Sequence, residues 1–495
     1  MDTVVSRRRF YFGSLAACLL SALASAPGAQ MLFRSATVLP VTGGETQLIG
    51  SIVAVPGGAA EVISVPDGTQ LNVHFYRFDT RMEIVAESIH AEDGLNFYGP
   101  SLCWDGAGFG VVASTLTRAV FLILDADGRI ARGPEELPGI PHGGRTAGFR
   151  VLWTGTHYAV FGMWLEKSNP FQDLSHGSFY THLRYWLLNP DGSTAVHREL
   201  AMLAPITYPG IEGAEKAYYD VVWTGERFFL VYHAESESGP PLGGYYKMYD
   251  LQGNVIAGEQ PIFAGQVTQG ARLAWNGRTV AATGLKSVPM PDPDAGNHMF
   301  LRCFDPDGTP RGPERQYGQL LGFSPTVFAV ENRFVTAYVM LHDWDNLGYA
   351  LMLNAFDDSG KHLGPEWPAA APDGAVVLGR MALGFDLQFT SGPEFVYGMA
   401  QTSDAWGITI QPISFALRNR PFDWPQLRWV RLGDEWILQW PDDAEDYQLL
   451  QTNHLNGVWA PVSDPPASVD GYKRIPMVLG DSSARFYRLH RTAQP

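Results

Sequence analysis

Residues 217–262 read AYYDVVWTGERFFLVYHAESESGPPLGGYYKMYDLQGNVIAGEQPI, and this stretch decides the fold. It contains four short apolar runs, at 217–223, 227–233, 244–250 and 254–262. Two tight turns punctuate them, Thr224-Gly225-Glu226 and Leu251-Gln252-Gly253. Glycine in each turn supplies the positive φ that a hairpin demands. Val222, Phe228, Leu230 and Tyr232 are β-branched, aromatic or large and apolar, suited to a pleated, half-buried surface. The stretch predicts four antiparallel strands with no helical period.

The same half-repeat recurs as Trp104-Asp105-Gly106, Trp153-Thr154-Gly155 and Trp275-Asn276-Gly277. A second turn answers each copy downstream, at Asp125-Ala126-Asp127-Gly128, Asn189-Pro190-Asp191-Gly192 and Asp305-Pro306-Asp307-Gly308. Self-similarity at this period is the mark of a repeat architecture. Seven passes align, over 47–95, 96–140, 145–205, 214–264, 268–318, 322–370 and 378–416, the last two degraded. Ala329 stands where the tryptophan is expected, and Thr390-Ser391-Gly392 marks the final copy. Four strands per unit predict an all-β chain, a seven-bladed β-propeller over 31–416, with a six-bladed count left open. The run 31–39 is expected to lend a strand to the last blade and close the ring. Beyond a stiff linker at 417–425, short strands over 426–495 predict a small C-terminal β-sandwich of immunoglobulin or fibronectin-III type.

The first 26 residues read as a signal peptide: basic Arg7-Arg8-Arg9, an apolar stretch at 10–23, and small residues near Ala24 and Ala26. Ser6-Arg7-Arg8-Arg9-Phe10 favours the twin-arginine route, with a plain Sec signal as the alternative. Cys18 lies inside the apolar stretch, which argues against lipidation without closing the question. The expectation is an exported protein, with no transmembrane segment in its mature form. A net charge of −16 repels phosphate backbones and argues against nucleic acid as a partner. Cys103 and Cys303 fall in different repeats and are expected as separate core thiols, not a disulfide framework.

The Trp-x-Gly…Asp-x-x-Gly units resemble those of secreted bacterial β-propeller repeat proteins. The tail resembles a C-terminal module common on large secreted proteins of environmental bacteria. Its marks are Trp440-Pro441, Tyr447-Gln448-Leu449, Gln451-Thr452, Trp459 with Val462, and Phe486-Tyr487-Arg488-Leu489. This resemblance implies architecture and is nearly mute on activity.

Strand parity points to a candidate site. The turns joining strands one to two and three to four share one face of the disc and are short. The two-to-three loops and the inter-blade crossings share the other face. They carry the long irregular sequence at 165–181, 235–243, 286–297, 341–347 and 204–216. There stand Glu166, Asp173, His176, Glu235, Glu237, Asp292, Asp294, His298, His342, Asp343, Trp344 and Asp345. The ligand-binding candidates are Asp173, His176, Glu235, Asp292, His298, His342, Asp343 and Trp344, an acidic set with an aromatic wall that suits sugars or cations. Three residues before the turn tryptophans, Ser101, Arg150, Asp220 and Arg272 are expected to line the central channel, where Arg150, Asp220 and Arg272 form an ion network or a polar funnel.

The Asp-x-Asp-Gly turns offer two carboxylates each, too few for the six to eight oxygens of calcium, so turn chemistry explains them. No metal and no cofactor are expected. No nucleophile elbow, zinc-helix motif, phosphate loop or sialidase-type Asp-box is present. The reading is a monomeric, non-catalytic binding or scaffold protein, its partner an extracellular glycan or an envelope protein. The alternative is a polysaccharide hydrolase or lyase with carboxylates drawn from separate blades.

Overall fold

The computed structural model describes residues 33–38, 50–67, 70–90, 98–115, 117–141, 145–167, 177–208, 219–234, 243–263, 268–288, 296–318, 322–343, 348–363, 367–368, 370–371, 374–375, 377–378, 388–392, 395–403, 410–418, 428–432, 435–441, 447–452, 459–462, 465–469, 472–477 and 486–491. The expected signal peptide lies outside them. One compact unit spans Met31–Asn419, and residues 420–495 belong to a second.

The first unit is an all-β propeller. Six of its sheets share one four-stranded order. The first blade holds Gly50–Val55, Gly58–Asp67, Gln70–Asp79 and Ile84–His90. The second holds Tyr98–Trp104, Phe109–Ser114, Ala119–Leu124 and Ile130–Glu136. The third is the longest, with Arg145–Trp153, Tyr158–Lys167, Gly177–Leu188 and Thr194–Tyr208. The fourth comprises Tyr219–Trp223, Phe228–Ala234, Gly243–Tyr249 and Val255–Pro261, and the fifth Thr268–Trp275, Val280–Val288, Gly296–Phe304 and Arg315–Tyr317. The closing blade joins Gln388–Ser391, Phe395–Ser403 and Ile410–Arg418 to the N-terminal strand Phe33–Val38, which pairs antiparallel with Ile410–Arg418.

Between the fifth and closing blades the pattern changes. Gly322–Val330, Arg333–Asp343 and Gly348–Phe356 are followed by a split outer edge, where Trp367–Pro368 and Val377–Leu378 each pair with Gly348–Phe356. The expectation of seven blades, the last copies degraded, is therefore corrected: among the described residues there are six regular four-stranded blades and one irregular five-stranded sheet. The cause is local sequence. Pro365, Pro368 and Pro372 remove main-chain donors from the segment that would form one continuous edge strand.

The innermost strands adjoin one another around the ring, from Gly50–Val55 through successive blades to Gln388–Ser391 and back to Gly50–Val55. The core is accordingly divided into wedges. Each cluster of buried side chains draws on two neighbouring sheets: Val62 and Phe75 with Phe109 and Val111, or Phe161 and Tyr185 with Phe228 and Tyr232. The turn tryptophans belong to these wedges. Trp104, Trp153 and Trp223 lie over Phe109, Tyr158 and Phe228, with centroids 4.7, 4.8 and 4.6 Å apart.

The two turn glycines of each repeat have different duties. Gly106, Gly155, Gly225 and Gly277 have φ between +88° and +104° and open space where a side chain would be. Gly128, Gly253 and Gly308 also have positive φ, but each abuts the preceding blade, at Phe75, Tyr185 and Met248 respectively. The leading aspartate holds its own turn: Asp250 Oδ1 accepts the N–H groups of Gln252 and Asn254, both at 2.8 Å. In the first blade Met82 takes the place of glycine at φ 62° and packs, fully buried, with Phe395 and Tyr397 of the closing blade.

Residues beyond 420 form two antiparallel sheets. One orders Arg428–Leu432, Glu435–Pro441, Tyr472–Met477 and Ala467–Val469; the other orders Ala460–Pro461, Tyr447–Thr452 and Phe486–Arg491. Among the described residues no helix is long and apolar enough to cross a membrane.

Candidate functional site

The inner strands share one register position that faces the next blade. Ser51, Ser101, Arg150, Asp220, Arg272, Thr326 and Gln388 each pair with the residue eleven positions further along. Several hydrogen-bond to the neighbouring inner strand. Leu102 N–H donates to Ser51 Oγ at 3.4 Å, Val151 N–H to Ser101 Oγ at 3.2 Å, and Leu273 N–H to Asp220 Oδ2 at 2.8 Å. Gln388 reverses the polarity, donating from Nε2 to the carbonyl of Gly50 at 2.6 Å.

Arg150 breaks the series because guanidinium has no acceptor. The N–H of Val221, which would otherwise turn to it, is taken by Oδ1 of Asp220 at 3.0 Å. Arg150 Nε stands 4.0 Å from the same oxygen, and the two side chains are 18% and 14% exposed. Burial pushes the Asp220 carboxyl above its ordinary value, while Arg272, Arg150 and the two N–H donors partly offset the rise. Asp220 thus joins the third, fourth and fifth blades, with two cations around one buried anion. This is the geometry of an inter-blade clamp.

On the opposite face, antiparallel order places the departure of every two-to-three loop beside the crossing to the next blade. Asp173, His176, Glu235, Glu237, Asp292, Asp294, Trp344 and Asp345 lie outside the described residues. His298 lies on strand Gly296–Phe304, and His342 and Asp343 end strand Arg333–Asp343. The expected loops are shorter than the sequence suggested, because the alternating pattern carries the strands further towards the face. His298 Nδ1 lies 2.8 Å from Gln316 Nε2 on the neighbouring strand. Among the described residues no three His, Cys, Asp or Glu groups converge on a cation position.

The third blade supplies a cluster that sequence reasoning touched only at Glu166. His182 contacts Glu166 Oε2 through Nε2 at 3.2 Å and Glu199 Oε1 through Nδ1 at 3.0 Å. Arg184 donates to Glu199 Oε2 at 3.2 Å and to the carbonyl of Gly139 at 3.0 Å. The ring of Trp164 lies 5.1 Å from that of His182, with the Arg184 guanidinium 5.4 Å from its centroid. Register explains the grouping. Trp164 stands opposite His182, Glu166 opposite Tyr180, and Arg184 opposite Glu199. Polar residues at every second position of paired strands were the available signal.

No family model and no curated protein matches the chain. Among solved structures it is similar to an acylaminoacyl peptidase from Pyrococcus horikoshii, at 10% identity and TM-score 0.41, over 80% of this chain and 58% of that one. It is similar to a puromycin-hydrolyzing peptidase from Mycobacterium tuberculosis, at 12% identity and TM-score 0.44, over 83% of this chain and 62% of that one. The chain therefore spans about three fifths of the length of either peptidase. An α-L-arabinofuranosidase from Fusarium graminearum aligns at 10% identity and TM-score 0.39, over 79% of this chain and 98% of that one. All three TM-scores fall below 0.5, and the fold rests on the sheet topology.

Proposed function

We propose that the chain is an exported, non-catalytic binding protein whose propeller presents its loop face to an extracellular glycan or envelope protein. The carrying observation is topological: the long excursions at 168–176, 235–242 and 289–295 all leave the rigid blades on one side. The carboxylates in hand there favour binding over hydrolysis. Glu166 and Glu199 engage opposite nitrogens of one imidazole, whereas a glycosidase sets two carboxyls across an open gap. In this reading the two C-terminal sheets pack as an immunoglobulin or fibronectin-III-like sandwich that attaches the propeller to its surroundings. The Arg7-Arg8-Arg9 leader directs export.

A glycan array followed by a reducing-end assay tests the reading. Retained glycan with no new reducing ends supports it. Release of ends that disappears in Glu235→Ala or Asp343→Ala replaces it with the hydrolase reading. Unchanged binding after deletion of 168–176 and 289–295 removes the loop face from consideration.

A further inference from the structure

The third blade is taller than the second. Strands Phe109–Ser114 and Ala119–Leu124 have 6 residues each, whereas Tyr158–Lys167 and Gly177–Leu188 have 10 and 12. Both pairs start from equivalent turn ends, with Phe109 opposite Leu124 and Tyr158 opposite Leu188. The extra length therefore projects at the loop face. Lower on the wall, Tyr158 and Trp186 pack against Phe121 and Val112 of the second blade. Residues at the same strand parity higher up, Trp164, Glu166, Tyr180 and His182, lie beyond the ends of the second blade's two middle strands. Pro138 and Gly139, which follow the second blade's outer strand, reach the lower part of this flank through their carbonyls, and the result is a ledge bounded by them. Its rim is half exposed, with Tyr180 at 48% and the side chains of Glu166 and Glu199 at 51% and 44%.

The floor of this ledge has an unmet requirement. The indole Nε1 of Trp164 and the Nε of Arg184 are buried and have no hydrogen-bond acceptor. An unanswered buried donor is costly and calls for a partner, such as a bound water, an ion or a functional contact. Beside them, Glu166 and Glu199 have lone pairs beyond those used by His182 and Arg184. A matching ligand must accept from two N–H groups and donate to two carboxylates within one small area. An anion meets the carboxylates, and a cation leaves the N–H groups unanswered. A polyol does both, and an exposed tyrosine ring suits the apolar face of a pyranose.

The geometry points to this ledge as a subsite for a neutral saccharide, a proposal that rests on the binding reading above and names its ligand class and location. Adjacent hydroxyls accept hydrogen bonds from the Trp164 and Arg184 N–H groups and donate hydrogen bonds to Glu166 and Glu199, while the sugar ring lies on Tyr180. The two donors are closed to solvent in this structure, so the assignment requires the half-exposed rim side chains to move when the sugar binds.

The test uses the full chain with neutral and uronic-acid oligosaccharides, measured by titration calorimetry. Tyr180→Ala and Glu166→Gln alter exposed rim side chains, and thermal melting identifies any variant that fails to fold. The expected result is neutral-sugar binding by the native chain, weakened about tenfold or more in each folded variant. Conservative Tyr180→Phe retains most of the affinity. Native affinity in both Tyr180→Ala and Glu166→Gln overturns the ledge and leaves the wider reading standing. Preference for uronic acids overturns the neutral-sugar assignment. Absence of any saccharide binding overturns the ledge together with the glycan arm of the wider reading.

Discussion

A β-carbon placed on Gly128 would lie 2.2 Å from the ring of Phe75 in the preceding blade. The repeated Asp-x-x-Gly turn is thus a contact between blades as well as a reversal of the chain. Gly253 against Tyr185 and Gly308 against Met248 repeat the arrangement, at 2.9 and 2.7 Å.

Two glycine substitutions separate conformation from contact. Gly225→Ala meets open space at φ +97° and should cost about 1 kcal/mol for the left-handed backbone alone. Gly128→Ala adds a collision with Phe75 at φ +83° and should cost roughly 3 kcal/mol. Urea denaturation measures both, and equal losses would refute the contact role.

Asp220 is expected to matter more than any other channel residue. Asp220→Ala leaves the N–H groups of Val221 and Leu273 without their acceptor and sets Arg150 and Arg272 around an empty position. The expected loss is about 3–5 kcal/mol. The double change Asp220→Ala with Arg150→Leu should recover part of it, and a purely additive double-variant cycle would contradict the clamp.

Met82 closes the ring in an unfavourable conformation, and the two effects oppose each other. Met82→Gly relieves about 1 kcal/mol of left-handed strain but empties a fully buried site worth roughly 2–5 kcal/mol. Net destabilisation is expected, read as a lowered melting temperature; a stabilised variant would show that backbone strain dominates.

Alkali should destabilise the protein through its buried tyrosines. Burial raises the phenols of Tyr219 and Tyr158, the latter also donating to Asp105. Folded values above unfolded ones give stability that is complete below the ordinary tyrosine value of 10.0 and is lost as pH climbs beyond it. The urea midpoint should stay level up to about that pH and then fall. Burial likewise pushes Cys303 up to about 12, and Cys103 higher, so neither should react with iodoacetamide at neutral pH until the chain is denatured.

Much of the scaffold was legible because its signals are local. The four runs of residues 217–262 correspond to strands Tyr219–Trp223, Phe228–Ala234, Gly243–Tyr249 and Val255–Pro261 within two residues, and the turn glycines lie where φ is positive. The run at 31–39 supplies the closing strand as expected. Ser51, Thr326 and Gln388 escaped notice because their blades lack the tryptophan that set the register elsewhere. His182 and Arg184 were hidden for a different reason. Residues 165–181 look like one loop, yet strands continue to Lys167 and resume at Gly177, and only cross-strand register brings Trp164 and Glu199 beside them. The split edge after residue 363 follows from prolines whose effect depends on the donors a neighbouring strand requires.

Closure by Phe33–Val38 has a temporal consequence. Its partner, Ile410–Arg418, leaves the ribosome some 375 residues later, so at about 5–20 residues per second the early strand waits roughly 20–75 s. Through that interval it is an unpaired ribbon beside an incomplete annulus, and the circle locks only when the two distant segments meet.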